Sequence, residues 1–439
     1  MRCASILLAT VLLGTLSNPV LAADGKVATN WHQWRGPNFD GTSDSADPPA
    51  HWSDSSNIKW KVKIPGLGSA SPVVWEDKVF IATAIETDRP APAGSAPGQG
   101  SRLALPAPNK FVEYVLMCLD RNTGKEIWKS VATQQVPHEG RHNTNSFASG
   151  SPTTDGQLVY ISFGSRGIFC FDMQGKKVWE RDLGDMTTRN GFGEGASPTL
   201  HGDSLIVQWD HEGPSFIEVL DARTGQTRWK RDREEVTTWA TPLVVEFEGR
   251  TQIITNATKR SRSYDLKTGE VIWECGGQFT NPIPCPLLVD KNVICMTGYQ
   301  GYAIYSIPLA SKGDLTDTDR ITWKRNDAAP YVSSAVLYGG QLYFTKSRDS
   351  ILSIVDARTG DAFVEQIRLP GTSSFYASPV AAKDRIYFTG RDGTTVVLKH
   401  SKKMEIIATN RLGEGVDASP ALVGKQIFIR GAEHLYCIE

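Results

Sequence analysis

The sequence predicts an all-β protein, an eight-bladed β-propeller of four-stranded antiparallel blades whose ring is closed by an N-terminal strand in the last blade. Three observations predict it. A Ser-Pro phrase recurs eight times, and a Thr-Gly hairpin leading to Trp recurs between the copies. The chain also stops one strand short of a full repeat, while a spare strand stands near its start. Repeats of this length are units that bury their apolar faces only against their neighbours.

The first phrase is clearest at Ser69-Ala-Ser-Pro-Val-Val-Trp-Glu-Asp-Lys-Val-Phe-Ile-Ala82. Small residues and Ser-Pro lead into an apolar strand, a turn and a second strand. The phrase returns at Ser151, Ser197, Ser378 and Ser419, each followed by Pro, with variants at Thr241-Pro242, Cys285-Pro286 and Ser334-Ala335. From Ser151 onward the copies stand 41 to 49 residues apart, the length of a four-stranded blade. Ser71 and Ser151 are 80 apart, and the excess is assigned to two insertion loops, 88–109 and 131–148.

The second phrase reads Leu119-Asp-Arg-Asn-Thr-Gly-Lys-Glu-Ile-Trp128, and it recurs ending at Trp229 and Trp273. A copy one residue shorter ends at Trp179, and another has Val364 in place of Trp. The chemistry is that of a hairpin. Asp bonds the turn backbone, Gly takes the positive φ, and the next strand carries a large flat ring. Trp60 and Trp323 are assigned the same blade-docking role as Trp128, Trp179, Trp229 and Trp273.

Closure is predicted from the two ends. The eighth unit breaks off at Tyr436-Cys-Ile-Glu439, where its Trp strand is due, and Asn57-Ile-Lys-Trp60-Lys-Val-Lys-Ile64 supplies that strand. Pairing them removes two exposed sheet edges. The propeller is therefore expected over 57–439, after an extension over 24–56.

These phrases resemble the tryptophan-docking repeats of the pyrroloquinoline-quinone dehydrogenases and of the non-catalytic propeller of the outer-membrane β-barrel assembly machinery. The resemblance covers about residues 57–439. It implies a propeller and, for the dehydrogenases, a quinone held with calcium beside a vicinal disulfide. This chain has no Cys-Cys pair, and the family's calcium ligands have no residue-by-residue match here. No cofactor is therefore expected; pyrroloquinoline quinone with calcium is the alternative.

Residues 1–23 read as a secretory signal peptide: Arg2 supplies the positive start, Ile6 to Leu16 the apolar stretch, and Val20-Leu21-Ala22 the small residues at the cleavage point. An uncleaved anchor is the alternative. Cys3 precedes the apolar stretch, so it is not placed as a lipid-bearing cysteine. No later run of about 18 apolar residues exists. The expected location is the periplasm or the cell surface, with no transmembrane segment after signal removal and the protein monomeric.

Net charge is −1 with both signs dispersed, which argues against a nucleic-acid partner. The six later cysteines, Cys118, Cys170, Cys275, Cys285, Cys295 and Cys437, permit disulfides after export. Three of them share one strand position in the repeat and read better as small buried apolar residues.

Several polar clusters fall outside the repeat and gather near the Ser-Pro copies. Arg189, Asn190 and Glu194 precede the third copy, and Asp210-His211-Glu212 follow it. An Asp-His-Glu run suits metal ligation or acid–base work, but adjacent strand residues face opposite ways, so a solvated loop is the simpler reading. His138-Glu139-Gly-Arg-His142 and Asp314, Asp317 and Asp319 carry metal-like spacing without the supporting helix or EF-hand glycine, and read as surface turns. Trp239, Arg260, Arg262, Tyr299, Arg391, Asp392 and Asp417 recur at comparable places in successive units. Either they ring a pore for a glycan or peptide, or they form inter-blade salt bridges.

No nucleophilic triad or phosphate loop is present. The sequence supports a non-catalytic scaffold that binds a protein or glycan partner in the cell envelope, with a role in envelope assembly implied by the resemblance. The alternative is a quinoprotein-like or sugar-active enzyme working at the channel mouth.

Overall fold

In the computed structural model the described residues are 25–92 and 103–439. The signal-peptide reading of 1–23 and part of the first insertion lie outside them. Eight antiparallel sheets follow one another around a ring. Blades one to four span 73–135, 153–181, 199–233 and 243–275, and blades five to eight begin at residues 287, 336, 380 and 421.

The last blade is composite. Strands Ala421–Val423, Gln426–Arg430 and His434–Ile438 are joined by the N-terminal strand Ile58–Lys63, in the register Trp60 opposite Cys437 and Val62 opposite Leu435. The closure expected from the two chain ends is therefore present.

The Ser-Pro phrase explains how the inner ring holds together. The N–H of Ser71 donates to Ser151 Oγ at 3.0 Å, Ser151 to Ser197 at 2.9 Å, and Ser197 to Thr241 Oγ1 at 3.4 Å. Cys285 donates to Ser334 at 3.0 Å, Ser334 to Ser378 at 2.9 Å, and Ser378 to Ser419 at 2.9 Å. Ser419 returns to Ser71 at 3.1 Å, and the Thr241 N–H meets the Cys285 thiol. Every inner strand is thus tied to the next by one side-chain oxygen or sulfur. A short polar side chain at this one repeat position is what the belt requires, because it satisfies a buried N–H that no strand ladder reaches.

The tryptophans lock the outer ring. Trp60, Trp128, Trp179, Trp229 and Trp323 each donate Nε1–H to the carbonyl of the residue after the hairpin Asp of the next blade, at 2.7 to 3.3 Å. The ring lies against that hairpin's glycine. At Gly225, φ is +70° and a Cβ would meet Trp179 at 2.8 Å, so the position needs glycine on both counts.

Trp273 departs from the docking role assigned to it. Blade five has no Thr-Gly hairpin to receive it, and its Nε1 has no partner. Instead the insertion in blade five folds back: Gly313–Asp314 pairs in parallel with Val271–Cys275, giving blade four a fifth strand, and Leu309 and Leu315 bury the indole completely. Val364 stands where Trp is missing because blade seven also lacks the hairpin; Met404 packs against its cluster.

Two loop boundaries shift. Strand Glu126–Gln135 runs into the second expected insertion, so that loop begins after Gln135, and strand Lys78–Pro90 runs into the first. The six described cysteines are free and buried, and burial pushes the Cys118, Cys170, Cys295 and Cys437 thiols up to about 12.

Candidate functional site

The extension crosses one end of the channel. Trp31 exchanges both backbone hydrogen bonds with Val74 of blade one, the His32 carbonyl accepts from Thr154 of blade two, and the Gly41 carbonyl from Ala381 of blade seven. Arg35, fully buried, donates to the carbonyls of Pro379 at 3.2 Å, Ala335 at 2.6 Å and Asp40 at 2.8 Å. Its neighbour Trp34 lines the channel cavity, about 220 Å³ in volume. The extension thus lies across the cavity between blades one and two on one side and blades six and seven on the other.

The cavity wall is built by the position two residues before each Ser-Pro copy. This position lines the cavity in all eight blades, and the belt residue lines it in six. In blades eight, one, two and three it holds Asp417, Ser69, Ser149 and Gly195. In blades four to seven it holds Trp239, Ile283, Val332 and Tyr376. The wall is therefore split into a small, polar arc and a large apolar arc.

The rim adds polar and aromatic groups. Arg391 grips Asp417 through two bonds, of 2.6 and 3.1 Å, and lies over the Tyr376 ring at 4.1 Å. Tyr299 stacks on Tyr331 with centroids 4.9 Å apart, and His142 meets Phe192 edge-on at 4.9 Å. Trp239 donates Nε1–H to the Gly193 carbonyl at 2.7 Å, which fixes its indole at the wall. Arg348 is an exposed cation on the same lining; burial, with Arg348 and Arg391 adding to it, holds the His142 pKa below its usual value.

Of the site residues expected from sequence, Trp239, Arg391 and Asp417 meet at this mouth, with Tyr299 behind Tyr331. Others serve the framework. Asp210 is buried and paired with Arg233 through bonds of 2.8 and 3.0 Å. His211 accepts the Thr187 N–H at 3.0 Å, and Glu212 accepts the Thr237 hydroxyl at 2.8 Å. The Asp-His-Glu run lies in the bend after strand Ser204–Trp209 and diverges to three partners; the loop expected there is present, but Asp210 and His211 are buried in it and only Glu212 is exposed.

Arg260 pairs with Asp314 at 2.8 Å and Glu274 at 3.2 Å, and Arg262 pairs with Glu235 and with Glu274 at 2.9 Å, a network that belongs to blade four. Asp392 caps Thr394 at 3.0 Å, Arg189 bonds Asn281 at 3.2 Å, and Asn190 occupies an exposed turn at φ +56°. Glu194 lies in a smaller side chamber beside blades two and three, together with His138 and Glu139.

Tyr331, Arg348 and the Tyr376 ring were not singled out from the sequence. A signal existed for Tyr376: it is two residues before Ser378, the same offset as Trp239 and Asp417.

Comparison with known proteins fits this architecture. None of the curated proteins matches the sequence. BamB from Moraxella catarrhalis superposes with a TM-score of 0.51 at 16% identity, covering 81% of this chain and 98% of that one. Quinohemoprotein alcohol dehydrogenase from Comamonas testosteroni gives 0.63 at 11%, covering 96% and 82%, and the enzyme ADHIIG from Pseudomonas putida gives 0.60 at 11%, covering 95% and 81%. At these identities the likeness shows the fold. No helix among the described residues is long and apolar enough to cross a membrane. A family model described as outer membrane protein assembly factor BamB matches residues 113–366, more than half of the chain, which therefore belongs to that family.

Proposed function

We propose that the protein is an exported, non-catalytic propeller scaffold that receives an extended segment of a cell-envelope protein at its channel mouth. The observation that carries this reading is the split wall, with Trp239, Ile283, Val332 and Tyr376 on one arc and Asp417, Ser69, Ser149 and Gly195 on the other. A β-forming segment alternates apolar and polar side chains and so presents two unlike faces, and the two arcs complement them. Membership of the assembly-factor family supports a protein partner, and the Arg2-led N-terminal stretch supports export.

A resident quinone with calcium is left out of the proposal. Among the described residues the one carboxylate on the channel lining, Asp417, is held by Arg391, so it is not open to a cation. The described cysteines are single and buried, which gives no disulfide platform. A thermal-shift titration with quinone and calcium checks this: a saturable rise would replace the scaffold reading.

The direct test is fluorescence anisotropy with a labelled peptide of alternating apolar and polar residues, against a scrambled control. The proposal expects the alternating peptide to bind, with tenfold or greater weakening in Trp239→Ala and Tyr376→Ala. Equal binding of both peptides, or no effect of the variants, overturns it; capture of a neutral oligosaccharide in the peptide's place moves the ligand class to glycans.

A further inference from the structure

We propose that His138, Glu139 and Glu194 form a binding site for a divalent transition-metal cation, Zn²⁺ being the best match, in the side chamber off the channel. One ligand atom from each of the three lies within 4.8 Å of the others. They come from different loops: His138 and Glu139 from the insertion after blade one, Glu194 from the segment entering blade three.

Each carboxylate is steadied from behind. Glu139 accepts the Thr188 N–H at 3.1 Å and its hydroxyl at 2.6 Å. Glu194 accepts the Ser165 N–H at 2.7 Å and the Ser165 hydroxyl. Gly164 leaves the space that the Glu194 carboxylate occupies, since a Cβ there would collide with it. Among the described residues neither carboxylate has a Lys or Arg in ion-pair contact; the nearby Arg166 is paired with Asp185 instead.

Two adjacent carboxylates held together without a compensating Lys or Arg repel each other. A bound cation relieves that cost.

A second observation points the same way. The Tyr114 hydroxyl and Gln208 Oε1 have no hydrogen-bond partner although their residues are 1% and 3% exposed, and both residues line this chamber. The chamber holds about 50 Å³, room for a cation with a water to satisfy such atoms. His138 has one ring nitrogen on the Met186 carbonyl at 2.6 Å and the other facing Arg166 at 3.3 Å. The Met186 carbonyl can only accept, so Nε2 carries the proton and that bond orients the ring, while Nδ1 is left to bind the metal in place of the Arg166 N–H. One imidazole with two carboxylates suits Zn²⁺, whereas Ca²⁺ takes six to eight oxygens.

Isothermal titration of the full, chelator-stripped chain with Zn²⁺ tests the site. One equivalent is expected to bind, with at least tenfold weaker affinity in both Glu194→Gln and His138→Gln, and unchanged affinity in Asp314→Asn on the acidic turn. Circular dichroism checks folding; if Glu194→Gln does not fold, His138→Gln decides. No binding to the parent chain, or binding that survives both chamber variants, overturns the proposal, as does binding lost in Asp314→Asn alone.

Discussion

The Ser419 N–H donates to Ser71 Oγ at 3.1 Å, joining the last inner strand to the first with the bond that links the other blades. The ring is therefore closed twice, by this bond inside and by the Ile58–Lys63 strand outside. Replacing Ser71 by Ala leaves the buried Ser419 N–H without an acceptor, at a cost of about 1–3 kcal/mol. Ser71→Thr, the variation present at Thr241, is expected to retain most of the stability. Urea unfolding of the two variants measures the difference, and equal midpoints would remove the belt from the account.

The docking of Trp179 against Gly225 predicts a contrast between glycines. Gly225→Ala must accept both a left-handed backbone and a clash with the indole, whereas Gly249 has φ +76° with open space around it. Gly249→Ala is expected to cost about 1 kcal/mol from backbone strain, and Gly225→Ala to cost more by about 2 kcal/mol from the overpacked contact. Thermal denaturation of the two proteins separates the terms.

The Asp210–Arg233 pair has both side chains fully buried. Asp210→Ala leaves the guanidinium charged in the protein interior, an expected loss of about 3–5 kcal/mol. The bonds from Arg233 to Thr255 at 3.0 Å and Tyr264 at 2.6 Å do not offset a missing countercharge. Chemical denaturation of this variant reads the loss, and a change under 1 kcal/mol, the scale of an exposed pair, would show that the pair is not carrying blade three.

Burial of His32 pushes its pKa down from 6.5 to about 4. Between those values the unfolded chain takes up a proton that the folded protein refuses, so stability falls as pH drops through this window. Asp40, raised to about 6 by burial, works in the opposite sense below pH 6, so the effect is read by difference. Relative to His32→Gln, the parent protein is expected to lose about 2 kcal/mol between pH 7 and 4.5. Parallel pH profiles would mean that His32 does not titrate in this way.

The fold was readable in the sequence because each repeat carries its own contact. The Ser-Pro serine is the belt hydroxyl, and the Trp and Thr-Gly pair is the outer lock, so counting phrases counts blades. Trp273 escaped because docking needs a hairpin in the following unit, and the replacement, Gly313–Asp314, arrives from an insertion without a repeat signature. The site was readable in part. Trp239 and Asp417 stand out as polar or aromatic residues beside Ser-Pro, but the pairing of Glu194 with His138 joins residues 56 apart through two irregular loops. Local spacing carries no information about such a contact.

Partners are expected to engage the channel at the mouth lined by Trp239 and Tyr376. A photocrosslinking residue at position 376 on the mouth, compared with one at position 367 on the exposed outer strand Ala362–Arg368, tests it in the native envelope. The account predicts a discrete protein adduct from position 376 and none from 367. An adduct from 367 with none from 376 would contradict it and place recognition on the outer rim of the blades.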